Sequence, residues 1–311
     1  MQCARCESPA VIDRPYAGDH LCSSHFRESV EDRARRALHR QLPRFHRGTV
    51  AVALSGGKDS AVTLRLAHRY FARRPTVRLV ALTVDEGIPG YRSATVERAG
   101  ELTAALGVEH RILSAQERLG TTTASAAKLL PGIAPCSYCG VWRRQLLNRG
   151  AREAGADALL LGFNLDDLAQ TVLMNVARAD IRRMPRMAPH RRRQAGLVPR
   201  VAPLAEVPER EVFLFAYLTE TPFDHGECPH AGRASRNVFR NVVYQLEEAF
   251  PGTRQALLSA HAQIVDLLAD GDAGAPGHCV DCGEPATGPR CRACEYLESV
   301  KTLRPLALEA R

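Results

Sequence analysis

The residues of this chain whose types and spacing suit chemistry are a short glycine-rich turn and a set of thiols. Ser55-Gly56-Gly57-Lys58-Asp59-Ser60 follows the apolar, β-branched run Val50 to Leu54 and precedes a helical pattern carried by Val62, Leu64 and Leu66. A buried strand, a tight turn and a helix start aim unpaired backbone N–H groups and the positive end of a helix dipole at one point, which suits a phosphate. The glycines let the backbone approach an anion, Ser55 and Ser60 offer hydroxyls, and Lys58 adds charge. The spacing is not that of the Walker loop.

All ten cysteines fall into groups. Cys3, Cys6, Cys22 and His25 form C-x-x-C followed by C-x-x-H. Cys279, Cys282, Cys291 and Cys294 form two C-x-x-C pairs. Paired thiolates two residues apart fit two corners of a tetrahedron, so each set predicts a closed structural Zn²⁺ site. The first module has so little apolar sequence that metal is expected to supply its folding energy. Cys136, Cys139 and Cys228 remain. The first two stand ahead of a helix expected from about Val141 to Ala154, whose dipole stabilises thiolates, and Arg143 and Arg144 follow one turn on.

The elements that must position these groups alternate. Strands are expected over Val77 to Val84, Glu109 to Leu113 and Asp157 to Leu161, with helices over Tyr91 to Leu106 and Leu168 to Ala177. That alternation implies parallel βαβ units with ligands at the carboxyl ends of the strands. Asp85 and Gly87 lie at one such end, as a plain turn or as adenosine contacts. Asp166 and Asp167 follow another, where they either cap a helix or hold Mg²⁺ on ATP phosphates. Helices are also expected over Pro208 to Leu218, Arg236 to Phe250 and Thr253 to Leu268, before a flexible linker over Gly271 to Gly277.

A net charge of +8 favours a polyanionic partner. Two stretches concentrate it. Arg27 to Arg47 reads as an arginine-rich helix, either a solvated face or a nucleic-acid contact. Arg178 to Arg200 combines many arginines with Pro185, Pro189 and Pro199, and reads as a basic loop suited to phosphate backbones, with Arg191, Arg192 and Arg193 at its centre. No apolar run approaches membrane-spanning length, and a cytoplasmic protein with no membrane partner is expected.

The turn S-G-G-x-D-S resembles the PP-loop of ATP pyrophosphatases, which cleave ATP between its α- and β-phosphates. With Asp85-Glu86-Gly87-Ile88-Pro89-Gly90-Tyr91-Arg92, Cys136 to Gly140, Gly162 to Thr171 and Glu227-Cys228-Pro229, the whole chain resembles the TtuA and cytosolic thiouridylase branch of tRNA 2-thiolation enzymes. The resemblance implies an α/β fold, a parallel-sheet, Rossmann-type PP-loop domain over 28–270 with zinc modules at 1–27 and 271–311. It implies ATP contacts from Ala53, Leu54, Ser55, Gly56, Gly57, Lys58, Asp59, Ser60, Thr83, Asp85, Gly87, Arg143, Gly162, Asp166 and Asp167. It implies a [4Fe–4S] cluster on Cys136, Cys139 and Cys228, with one iron left open. Catalytic roles then fall to these cysteines, Asp59, Arg143 and Asp167.

The implied reaction adenylates the uridine C2 oxygen and replaces it with sulfur, giving AMP and pyrophosphate. Implied partners are tRNA and a ubiquitin-like carrier with a C-terminal thiocarboxylate, with a homodimer as a further option. The chain departs from the family at Phe163, usually His, at Leu168, usually an acid, at Arg143, often Lys, and at His230, often aromatic. Two alternatives stay open: a PP-loop sulfurtransferase acting on a small molecule, and a tRNA thiolase that uses a persulfide in place of a cluster.

Overall fold

The computed structural model describes residues 1–190, 194–233, 236–268 and 277–309. The chain opens with a hairpin, β1 (Ile12–Arg14) paired antiparallel to β2 (Asp19–Leu21), and runs into α1 (Ser23–Gln41). The α/β core follows as β3 (Gly48–Ala53), α2 (Lys58–Phe71), β4 (Val77–Asp85), α3 (Arg92–Leu106) and β5 (Glu109–Ser114). Two short helices, α4 (Ala115–Leu119) and α5 (Thr123–Leu129), lead to α6 (Pro135–Glu153), β6 (Ala158–Leu160) and α7 (Leu165–Ala177). A 3-10 turn over Ile181–Arg186 precedes β7 (Arg200–Val201), α8 (Glu209–Leu218), α9 (Arg236–Ala249) and α10 (Thr253–Leu268). The last unit is a hairpin of β8 (Gly277–His278) and β9 (Pro285–Ala286), followed by α11 (Arg292–Glu309).

The central sheet has the order β5-β4-β3-β6-β7, and every pair in it is parallel. Val50, Val52, Ala81, Ala158 and Leu160 are fully buried on it, as a parallel sheet covered on both faces requires. The chain reverses direction across the sheet between β3 and β6, and the crevice outside their carboxyl ends is where such folds bind ligands.

One expectation about the N-terminal module needs correction. The module is not short of apolar packing: Cys3, Ile12, Leu21, Cys22 and Phe26 share one cluster with Val30 and Ala34 of α1, Val62 and Leu66 of α2, and Phe215 of α8. Helix α1 begins at Ser23, so His25 lies on its first turns. The arginines of α1 divide. Arg33 is buried and ion-paired to Glu211, and Arg40 pairs with Glu206, so these two fasten α1 to the α8 region and are not free for nucleic acid.

Helix α6 begins at Pro135, earlier than expected, because proline suits a helical first turn that needs no N–H there. Cys136 and Cys139 therefore lie on its first turns. The basic stretch is partly tied down: Met184 of the 3-10 turn is fully buried, while Arg191, Arg192 and Arg193 lie outside the described residues. So does most of the expected 271–277 linker. The C-terminal unit docks on α6, where Glu284 pairs with Arg152 and accepts from Asn148, and the Trp142 indole donates to the Ala293 carbonyl.

Candidate active site

Helix α2 starts at the end of β3 with no side-chain cap, which leaves its first N–H groups open toward the crevice. The turn before it is held by its own hydroxyls: Ser60 Oγ donates to the Gly57 carbonyl (2.9 Å) and accepts from Ser55 N–H (3.0 Å). Gly56 has φ +88°, and any Cβ there would collide with the Thr95 backbone. A Cβ at Gly162 would meet Ser60 N at 2.9 Å, so glycine lets the β6 end close against the turn.

Charged groups line this cradle. Lys58 Nζ bridges Asp59 (3.0 Å) and Glu209 (2.9 Å). Asn164 caps α7, donates to Asp59 Oδ1 at 2.9 Å, and shares a capping box with Asp167. Burial, and next the neighbouring charge of Asp59, push the Asp167 carboxyl up to about 6, with Arg236 pulling the other way. Two crowded carboxylates beside a phosphate cradle are a hard-oxygen donor set of a kind that fits Mg²⁺.

Three of the residues expected to contact ATP also have partners within the chain. Thr83 is fully buried, donating to the Leu54 carbonyl and bonding His110 Nε2. Asp166 is 1% exposed, accepts from Glu209 N–H and is ion-paired to Arg254. Asp85 accepts from Gly87 N–H at 2.9 Å, the plain turn, with Gly87 at φ +64° against Thr122. These positions hold the walls of the crevice. Ala53 ends β3, and Leu54 follows it buried in the core, its N–H bonded to the Leu82 carbonyl.

The thiols stand on the other side. Cys136 Sγ lies 3.8 Å from the His230 carbonyl, which brings the Cys228 loop to the start of α6. That loop is pinned to the turn where Asp224 N–H bonds the Gly56 carbonyl. Burial, then the charges of Cys139 and Cys228, push the Cys136 thiol up, against the pull of Arg143. The donor atoms of Cys3, Cys6, Cys22 and His25, and those of Cys279, Cys282, Cys291 and Cys294, gather within 4.8 Å, the spacing of ligands around one ion.

What joins the two sides carries no signal in residue spacing. Glu86, 3% exposed, is ion-paired to Arg92 (2.8 Å) and to Arg143. Arg92 donates to the Ser55 carbonyl at 3.0 Å, and Arg143 reaches Cys139 Sγ at 3.5 Å. A chain of charge thus runs from the phosphate turn to a thiol. Glu209, which also binds Arg240 and Tyr244, was missed as well. Acidic residues within an ordinary turn and a helix start carry no signal until their partners fold against them.

Comparison with known proteins fits this arrangement. A PP-loop domain model matches residues 27–247, and a model of the 2-thiouridine synthetase TtuA N-terminal LIM domain matches residues 2–27. The tRNA 2-thiolation protein NcsA of Haloferax volcanii is 38% identical over 97% of this chain and 100% of its own length. The chain belongs to the PP-loop tRNA 2-thiolation family. Cytoplasmic tRNA 2-thiolation protein 1 of Chlamydomonas reinhardtii is 32% identical over 97% of this chain and 86% of its own. The U34-tRNA thiolase NcsA from Methanococcus maripaludis, solved with its [4Fe-4S] cluster, superposes with a TM-score of 0.82 at 29% identity, covering 96% of both chains. Against the family pattern, Leu168 is 5% exposed and packs with Ala202 and Ala205, while Phe163 is 38% exposed beside the crevice. Among the described residues no helix is long and apolar enough to cross a membrane.

Proposed function

We infer that this chain is an ATP-dependent tRNA 2-thiolation enzyme of the cytoplasm. The observation that carries the reading is the Ser55–Arg92–Glu86–Arg143–Cys139 chain, which ties a phosphate cradle to a three-thiol site across one crevice. The open N–H groups of α2 and the Ser55 and Ser60 hydroxyls bind the ATP phosphates, and Lys58 supplies charge. Asp59 and Asp167 hold Mg²⁺, which offsets charge on the triphosphate. The uridine O2 attacks the α-phosphorus, the bond to the β-phosphate oxygen breaks, and pyrophosphate leaves. Sulfur then adds at C2 and AMP departs with the former O2.

Cys136, Cys139 and Cys228 would hold a [4Fe–4S] cluster, which supplies an iron position free of protein ligands for sulfur. Arg143 faces Cys139 and the crevice, placed to stabilise negative charge on the departing phosphate. In this reading the donor is the thiocarboxylate of a ubiquitin-like carrier, and Zn²⁺ fills the two four-ligand end sites. Nucleoside mass spectrometry on tRNA from a deletion strain tests it. The expected result is loss of 2-thiouridine, restored by the intact gene and not by a Cys139→Ala copy. Unchanged 2-thiouridine in the deletion strain would overturn the assignment.

A further inference from the structure

Beside the cysteine helix lies a recess of about 680 Å³, walled by α6 and the 3-10 turn on one side and by the C-terminal cysteine unit on the other. Six arginines line it; Arg290 pairs with Asp281 and Arg292 with Glu295, which leaves Arg144, Arg182, Arg186 and Arg200. Among the described residues none of these four is ion-paired. The acids of the recess are already engaged: Glu284 with Arg152, and Glu295 with Arg292. Desolvation in the crevice, then the like charges of Arg143 and Arg183, hold Arg144 below its usual range; desolvation and Arg144 do the same to Arg200. Proteins seldom gather unpaired guanidinium groups in one hollow unless an anion is to fill it.

The geometry narrows the anion. Four separated guanidinium groups are more than one small anion engages, whereas successive phosphates of a strand meet them in turn. Each planar fork matches a phosphate in bidentate fashion. The walls are fixed, since the cysteine unit is bolted to α6 by Glu284, Asn148 and the Trp142 indole. The recess also opens next to the reaction centre: Arg144 follows Arg143 on α6, and its guanidinium lies 3.4 Å from where a Cβ on Gly140 would stand.

We propose that this recess is a phosphodiester-binding site that grips the RNA strand flanking the target uridine. The inference rests on the tRNA reading above and assigns the C-terminal unit to RNA binding. It places a basic contact on α6 and, within the 178–200 stretch, on Arg182, Arg186 and Arg200.

The test measures tRNA affinity of the full chain against salt, for the parent, for Arg144→Gln/Arg200→Gln and, as control, for Arg73→Gln, exposed beyond the end of α2 opposite the phosphate turn. Each lost phosphate contact flattens the slope of log affinity on log salt by roughly 0.7 to 0.9, so the double variant should lose nearly two units of slope and the control none. ATP binding and thermal stability of the double variant should match the parent, because the change removes mutual repulsion. An unchanged slope overturns the proposal. So does equal competition by polyglutamate and by RNA, which would make the recess an acidic-peptide site. If the parent forms no thiolated nucleoside but the slope still falls in the double variant, the recess stands and the thiolation reading falls.

Discussion

Glu86 shows how one carboxylate organises this crevice. It is buried between Arg92, itself 5% exposed, and Arg143, so its charge keeps a buried guanidinium compensated. Removing one partner of a buried ion pair leaves the other uncompensated, typically at about 3–5 kcal/mol. Glu86→Gln should therefore lower unfolding free energy by about 3 kcal/mol in urea titration, while Glu86→Asp should cost less. A loss under about 1 kcal/mol would mean that solvent already screens the network. Asp167 gives a pH signature. Its folded-state value near 6 lies above the ordinary carboxylate range, so the native state holds the proton more tightly than the unfolded chain. That contribution is intact below about pH 4 and is lost as pH rises through 6. Asp167→Asn should accordingly be more stable than the parent at pH 7.5 without Mg²⁺, by about 1 kcal/mol after solvent screening, with no difference below about pH 4. Melting curves across that range check it; a variant less stable at pH 7.5 would show that the Arg236 pair outweighs the repulsion.

At the scale of elements, the strands and helices of the core were legible because their apolar runs are long and their periods clean, as at Val77 to Val84 and Tyr91 to Leu106. The phosphate turn and the three cysteine groups were legible because glycine and cysteine spacing carries chemistry without long-range context. What escaped was pairing across distance. Thr83 and Asp166 have residue types suited to a nucleotide site, and only the fold shows their partners His110 and Arg254. The N-terminal module misled for a related reason: Ile12, Leu21 and Phe26 look sparse along the chain but are pooled with residues of α2 and α8. The apolar packing therefore supports the module independently of any metal on its four ligands. Cys22→Ser should lose one equivalent of bound metal yet remain soluble with the core folded. Phe26→Ala, which empties a fully buried site, should cost about 3–5 kcal/mol in urea unfolding. A Cys22→Ser chain that aggregates on release of metal would return the module to metal-only folding.

For the molecule as a whole, the order β5-β4-β3-β6-β7 brings distant stretches to one edge: the turn after β3, the loop after β6 and the Cys228 loop. Parallel topology was predictable from the alternation of strands and helices. How the C-terminal cysteine unit seats on α6 was not, because it depends on Glu284 meeting Arg152 across a linker whose sequence sets no direction. That seat holds the single tryptophan of the chain. Trp142 is 1% exposed, stacked near Tyr138, and three residues along α6 from Cys139. The protein therefore carries its own optical gauge at the joint between its halves. Emission should be blue-shifted while the unit is seated and should move to the red when Glu284→Ala loosens it. An iron–sulfur chromophore on the neighbouring thiols would darken the same indole by energy transfer, so one fluorescence trace reports docking and cofactor loading together.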